Sequence, residues 1–123
     1  MNNTDSILTS IKKLLGIDES YDHFDADLII YINSVFLTLT QIGVGPAEGF
    51  SISDDQDVWT DFLEEGPLLN SIKPYVHMKV RLLFDPPNAS SAIESMNRII
   101  AEFEWRIMAA VDHGAGEEEI QNG

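Results

Sequence analysis

The chain predicts an all-α fold, a small helical bundle of four main helices with one shorter helix and a C-terminal tail. Three observations carry that prediction. Apolar residues recur three and four positions apart through four separate stretches, the mark of one buried helical face. Glycine, proline or a small capping residue brackets each stretch. Strict alternation of apolar and polar residues occurs only briefly, at 50–53. Size agrees, since 123 residues suit one domain and a 44% hydrophobic content can bury a core.

Residues 4–15 form the first helix. Asp5 or Thr4 is placed to cap it, and Ile7, Leu8, Ile11, Leu14 and Leu15 make its apolar side. Lys12 and Lys13 sit in its last turns, where cations complement the helix dipole, and Gly16 supplies the left-handed position that ends it. So short a helix needs a surface to dock on. After a loop at 17–24, Asp25 is placed to cap a helix reaching about Ile42, with Phe24 and Ile29 set as a hydrophobic staple. Its stripe of Leu28, Ile29, Ile32, Val35, Phe36, Leu39 and Ile42 is broader than a surface helix needs. Gly43 and Gly45-Pro46 stop it.

Residues 44–66 form an insertion of different character, with seven acids and no Lys or Arg. Phe50 and Ile52 alternate with Ser51 and Ser53, which suits a short extended piece or hairpin arm, a small β element. Asp55 or Asp57 is placed to cap a short helix carrying Val58, Trp59, Phe62 and Leu63, and Gly66-Pro67 closes it. Long connections inside small domains commonly carry a role.

The central helix lies within 71–87. Ile72, Val76, Val80 and Leu83 line it, widened by Tyr75, Leu82 and Phe84, while Lys73, His77 and Arg81 fall four apart on another face. Asp85-Pro86-Pro87 ends it, because proline lacks the N–H and pushes its predecessor out of the helical region. Two starts are open. A cap at Asn70 or Ser71 leaves Pro74 at the edge of the first turn; a start nearer Leu68 puts Pro74 inside and kinks the helix. Ser91-Ala92-Ile93-Glu94 then reads as a capping box. The last helix carries Ile93, Met96, Ile99, Ile100, Phe103 and Ile107 on one side, with Glu94 four before Arg98 and Glu102 four before Arg106. The short connection makes these two helices antiparallel. Residues 1–111 are thus one helical domain, and 112–123 an acidic flexible tail.

Twenty-one acids against seven Lys and Arg give a net charge of −14. Such a surface repels nucleic acid and anionic membranes. There is no cysteine, so disulfide frameworks and thiolate sites are excluded. No basic stretch precedes an apolar run at the N-terminus, and no segment is apolar for long enough to span a bilayer; a soluble protein is expected. His23, His77 and His113 show no metal-binding spacing, and no cofactor is expected. Asp54, Asp55 and Asp57 look like part of a calcium loop but lack its glycine and terminal glutamate. No nucleophile elbow or phosphate-binding loop occurs. Tyr21, Tyr31, Val44, Trp59, Leu68, Leu69, Trp105 and Ile120 fall outside the stripes, and aromatic residues among them suit partner contacts.

The order of parts adds a resemblance. SILTSIKKLLGID, FDADLIIYINSVFLTLTQIGVGP, FSISDDQDVWTDFL, YVHMKVRLLFDPP and a final helix ending EFEWRI follow one another. Over about residues 6–107, and through INSVF, FSISD and KVRLLFDPP in combination, the chain resembles the head–tail connector (adaptor) family of tailed bacteriophages. Pro74 departs from that pattern. The resemblance implies a structural, non-enzymatic protomer of a homo-oligomeric ring, usually dodecameric. That ring sits under the portal protein in the virion neck and receives a stopper or tail-completion protein on its other face. DNA would pass through without specific binding, and the protein would reach the neck from the host cytoplasm. The C-terminal segment would engage the portal, here through Met108, Ala109, Val111, His113, Glu117, Glu118, Glu119 and Ile120. Contacts between subunits are expected from Phe50, Asp54, Asp55, Asp57 and Trp59 of the insertion, with Lys73, His77 and Arg81 as scarce cations for an acidic neighbour. Two other classes stay open on the residues alone, a small acidic regulatory binding module and a metal-dependent hydrolase using the acidic insertion.

Overall fold

In a computed structural model, which describes the backbone of residues 5–122 and the side chains of residues 5–112, the chain is all-α. Its helices are α1 (Ile7–Leu14), α2 (Asp25–Ile42), α3 (Trp59–Phe62), α4 (Pro67–Phe84) and α5 (Ser90–Asn122). α4 is the hub: it packs on α2 along one flank and on α5 along another, while α1 docks on α2. The core joins Ile7, Leu8 and Ile11 to Leu28, Ile32, Val35, Phe36 and Leu39, then to Leu69, Ile72, Tyr75, Val76 and Val80, with Ile100 and Ile107 from α5. Truncating a side chain as large and buried as Phe36 to alanine costs about 3–5 kcal/mol. Among the described residues, no helix is long and apolar enough to cross a membrane.

Several helix ends differ from the sequence reading. The cap of α1 is Ser6, not Asp5, with its hydroxyl accepting from the Thr9 N–H at 3.2 Å; Thr4 lies outside the described residues. Leu14 points outward. Gly16 does take the left-handed conformation just beyond α1, and Gly43 does so at the end of α2. Asp25 is not the cap of α2 but its first residue, and its carboxylate is drawn to Lys12 instead. Pro67 starts α4 rather than closing the segment before it, because proline suits a first-turn position. Pro74 therefore lies inside the helix and leaves the Asn70 carbonyl without its usual donor. Ser91 falls within the first turn of α5, whose opening bonds run from the Ala92 and Ile93 N–H groups to the Ala89 carbonyl.

No strand forms among the described residues; an isolated antiparallel bridge joins Ser6 and Val58. The alternation at 50–53 does not build a hairpin because a side chain takes the place of a neighbouring strand. The Asn33 amide donates to the Ile52 carbonyl at 3.0 Å and accepts from the Ile52 N–H at 2.7 Å. α5 continues past 111 to Asn122, over the segment expected as a tail; the side chains of 113–123 lie outside the described residues.

Candidate functional site

The insertion at 44–66 carries Phe50, Asp54, Asp55, Asp57 and Trp59, the residues expected to meet neighbouring subunits. Its underside is aromatic. Phe36 of α2 lies 5.0 Å from Phe50 and 4.7 Å from Phe62, ring centre to ring centre, and Phe50 lies 5.2 Å from Phe62. Gly45 permits this cluster. Its φ of +85° disfavours any side chain, and a Cβ there would stand 2.4 Å from the Phe62 ring. Trp59 is buried, 3% exposed, and its indole N–H donates to the Ser10 hydroxyl of α1 at 2.9 Å. Trp59 thus serves the interior of its own protomer.

Above these rings the chain turns sharply at 53–57. The Asp57 carboxylate accepts from the Ser53 N–H at 2.7 Å and the Asp54 N–H at 3.3 Å, while the Asp57 carbonyl accepts from the Ile7 N–H at 3.0 Å. Asp57 therefore builds the turn, and Asp54 and Asp55 are displayed on it, exposed and, among the described residues, without an ion-pair partner. Among the described residues, no three His, Asp or Glu side chains converge to hold a metal ion.

The expected basic face of α4 is divided. The Lys73 ammonium lies 5.9 Å over the Trp59 ring, tying α4 to the insertion of the same chain. His77 is half-buried, and among the described residues its buried Nε2 and the buried Arg81 Nε have no hydrogen-bond partner. Burial holds the His77 pKa below its ordinary value, and the Arg81 charge adds to that. On the other flank of α4, the Tyr75 hydroxyl donates to Glu104 Oε2 of α5 at 2.7 Å. Burial, and then Glu104, push the Tyr75 pKa well above its usual range.

Of the C-terminal residues expected to reach a partner, Met108 and Ala109 are exposed. Val111 packs on the core, close to Gly43. His113, Glu117, Glu118, Glu119 and Ile120 lie outside the described side chains.

Two exposed apolar residues on α2 were not expected from the stripe. Ile30 and Leu37 are 64% and 60% exposed on the side turned away from the core. Leu37 also borders a hollow of about 380 Å³ shared with Asn33, Thr40, Glu48, Gly49, Phe50 and Ser51. The sequence holds a signal for this face, since residues 28–47 contain no charged side chain on a chain of net charge −14. On α5, Trp105 is 70% exposed.

What the helical protomer displays among its described residues includes exposed apolar side chains, Ile30 and Leu37 on α2 and Trp105 on α5. Its family is specific. The phage connector protein family model matches residues 7–114, nearly the whole helical unit, and the chain belongs to that family. The family is structural rather than enzymatic, and it makes the chain a head–tail connector protein of the virion neck that assembles with portal and tail components. No curated protein and no solved structure matches the chain.

Proposed function

We propose that this connector protein assembles as a homo-oligomeric ring, dodecameric as the family resemblance implies, beneath the portal. The ring would join the DNA-filled head to a stopper or tail-completion protein and leave a passage for DNA. The observation that carries this reading is the acid surplus on a connector protomer. A passage walled by carboxylates repels DNA and so lets it slide without adsorbing. Assembly takes place in the host cytoplasm, before the finished neck holds the protein.

Asp54 and Asp55, displayed on the turn that Asp57 builds and backed by Phe50 and Trp59, reach the neighbouring subunit in this reading. Arg81 and Lys73 supply positive charge for that approach, and His77 between them in sequence adds a polar ring. The C-terminal segment from Met108 onward, including Ala109, Val111, His113, Glu117, Glu118, Glu119 and Ile120, engages the portal.

Mass measurement and electron microscopy of the full chain mixed with its cognate portal test the reading. A ring of copies on the portal is expected. A single copy or a dimer bound there would refute it. A truncation after Asp112 keeps the Val111 packing and is expected to lose portal docking while its melting temperature stays unchanged. Normal docking by that truncation would remove His113, Glu117, Glu118, Glu119 and Ile120 from the portal contact.

A further inference from the structure

The outward faces of α2 and α5 are separate surfaces of the protomer; the first is apolar, and the second presents Trp105 and Ala101 among charged side chains. Leu37 of α2 and Phe50 of the insertion wall the hollow of about 380 Å³. On α5, Trp105 stands out from the helix one turn beyond Ala101. A tryptophan buries about 150–250 Å² when it enters a contact and is the side chain most often central to one.

Charge selects the occupant. Two chains of net charge −14 repel, so copies meet where charge is absent or balanced. The 28–47 stretch carries none, and beside Trp105 the Glu102 and Arg106 side chains neutralise each other at 2.6 Å. Among the charges left over, Asp112 lies two turns after Trp105, and two others are opposite in sign to each other. Glu48 borders the hollow, Arg98 lies two turns before Trp105, and among the described residues neither has an ion-pair partner in its own protomer. The two faces differ, so a contact between them is head-to-tail. Each copy then offers α5 to one neighbour and α2 to the other, the arrangement that propagates into a ring, whereas a two-fold dimer needs one patch to meet itself.

We propose that Trp105 of one copy seats in the Leu37 and Phe50 hollow of the next, with Arg98 set against Glu48. This rests on the ring reading above and names its contact.

The chain has no cysteine, so single-cysteine variants give clean cross-links. Full-length Leu37→Cys and Ala101→Cys proteins, mixed with the cognate portal and oxidised, are expected to yield a 37-to-101 disulfide product. A chain carrying both changes is expected to yield a ladder longer than a dimer. Trp105→Ala is expected to weaken self-association by about thirtyfold with an unchanged melting temperature. Glu48→Arg and Arg98→Glu are each expected to weaken it, and together to restore it. If wild-type rings form but only 37-to-37 products appear, or Ala101→Cys links to the portal instead, the seating is wrong and the ring reading stands. A double charge swap no better than either single change would also overturn the seating. If the wild-type chain forms no oligomer with its portal, both fall together.

Discussion

Lys12 shows how one side chain on an acidic protein is kept for folding. It is only 2% exposed, its ammonium lies 2.9 Å from Asp25 Oδ1, and it donates to the Glu19 carbonyl at 3.0 Å. That pair joins the end of α1 to the start of α2. Lys12→Met is expected to cost about 2 kcal/mol in urea unfolding, somewhat below a fully buried pair because Asp25 retains some exposure. Adding Asp25→Leu should recover much of the loss, since the stranded carboxylate is then gone. His77 gives a pH signature. Its folded pKa lies below the unfolded value of 6.5, so the unfolded chain takes up the extra proton. This contribution to stability is intact above pH 6.5 and declines as pH falls below it. His77→Gln is expected to flatten the loss between about pH 7.5 and about pH 5.5 relative to wild type, as read by chemical denaturation. Tyr75 has the opposite sign. With a folded pKa raised above 10.0, its contribution is present below that pH and lost as alkali is added.

At the level of elements, the insertion depends on Asn33. Ile52 is buried, and one amide satisfies both of its backbone groups. Asn33→Ala should cost about 2–3 kcal/mol and speed hydrogen exchange at the Ile52 amide far more than in α4. Gly45→Ala should destabilise by a similar amount, about 1–3 kcal/mol, by straining φ and displacing the Phe62 ring. These elements also show what was legible beforehand. The helices were, because their apolar periodicity survives in the buried sets of α2 and α4. Their ends were less so. Ser6 caps α1 through the nearby Thr9 N–H and Pro67 takes a first-turn position, whereas Asp25 gives its carboxylate to Lys12, a contact across the loop between α1 and α2. The pairing of Asn33 with Ile52 spans nineteen residues and leaves no local trace. The α2 surface was hidden because Ile30 and Leu37 merge into a stripe already rich in apolar residues; only the lack of charge sets it apart.

For the whole molecule, self-repulsion among twenty-one acids works against compactness. Added salt screens it, with a screening length near 10 Å at about 0.1 M. The melting temperature is therefore expected to rise as salt is raised from very low levels toward about 0.15 M; a flat response would mean the acids are too far apart to matter. The same screening should favour association of copies through charge-poor faces. A contact of the α2 and α5 type then gains from salt, where a contact made of ion pairs alone would lose.

The turn built by Asp57 separates two demands on the chain. Asp57 closes the turn from within, by bonds to Ser53, Asp54 and Ile7, so the fold holds the stretch at its base. Among the described residues, Asp54, Asp55 and Gln56 at the tip bond only with one another and with that base. Residues spliced in after Asp55 would leave the protomer intact, yet any neighbour that reads the tip would register them at once. Within five consecutive positions, folding constrains the last and assembly is free to reshape those before it.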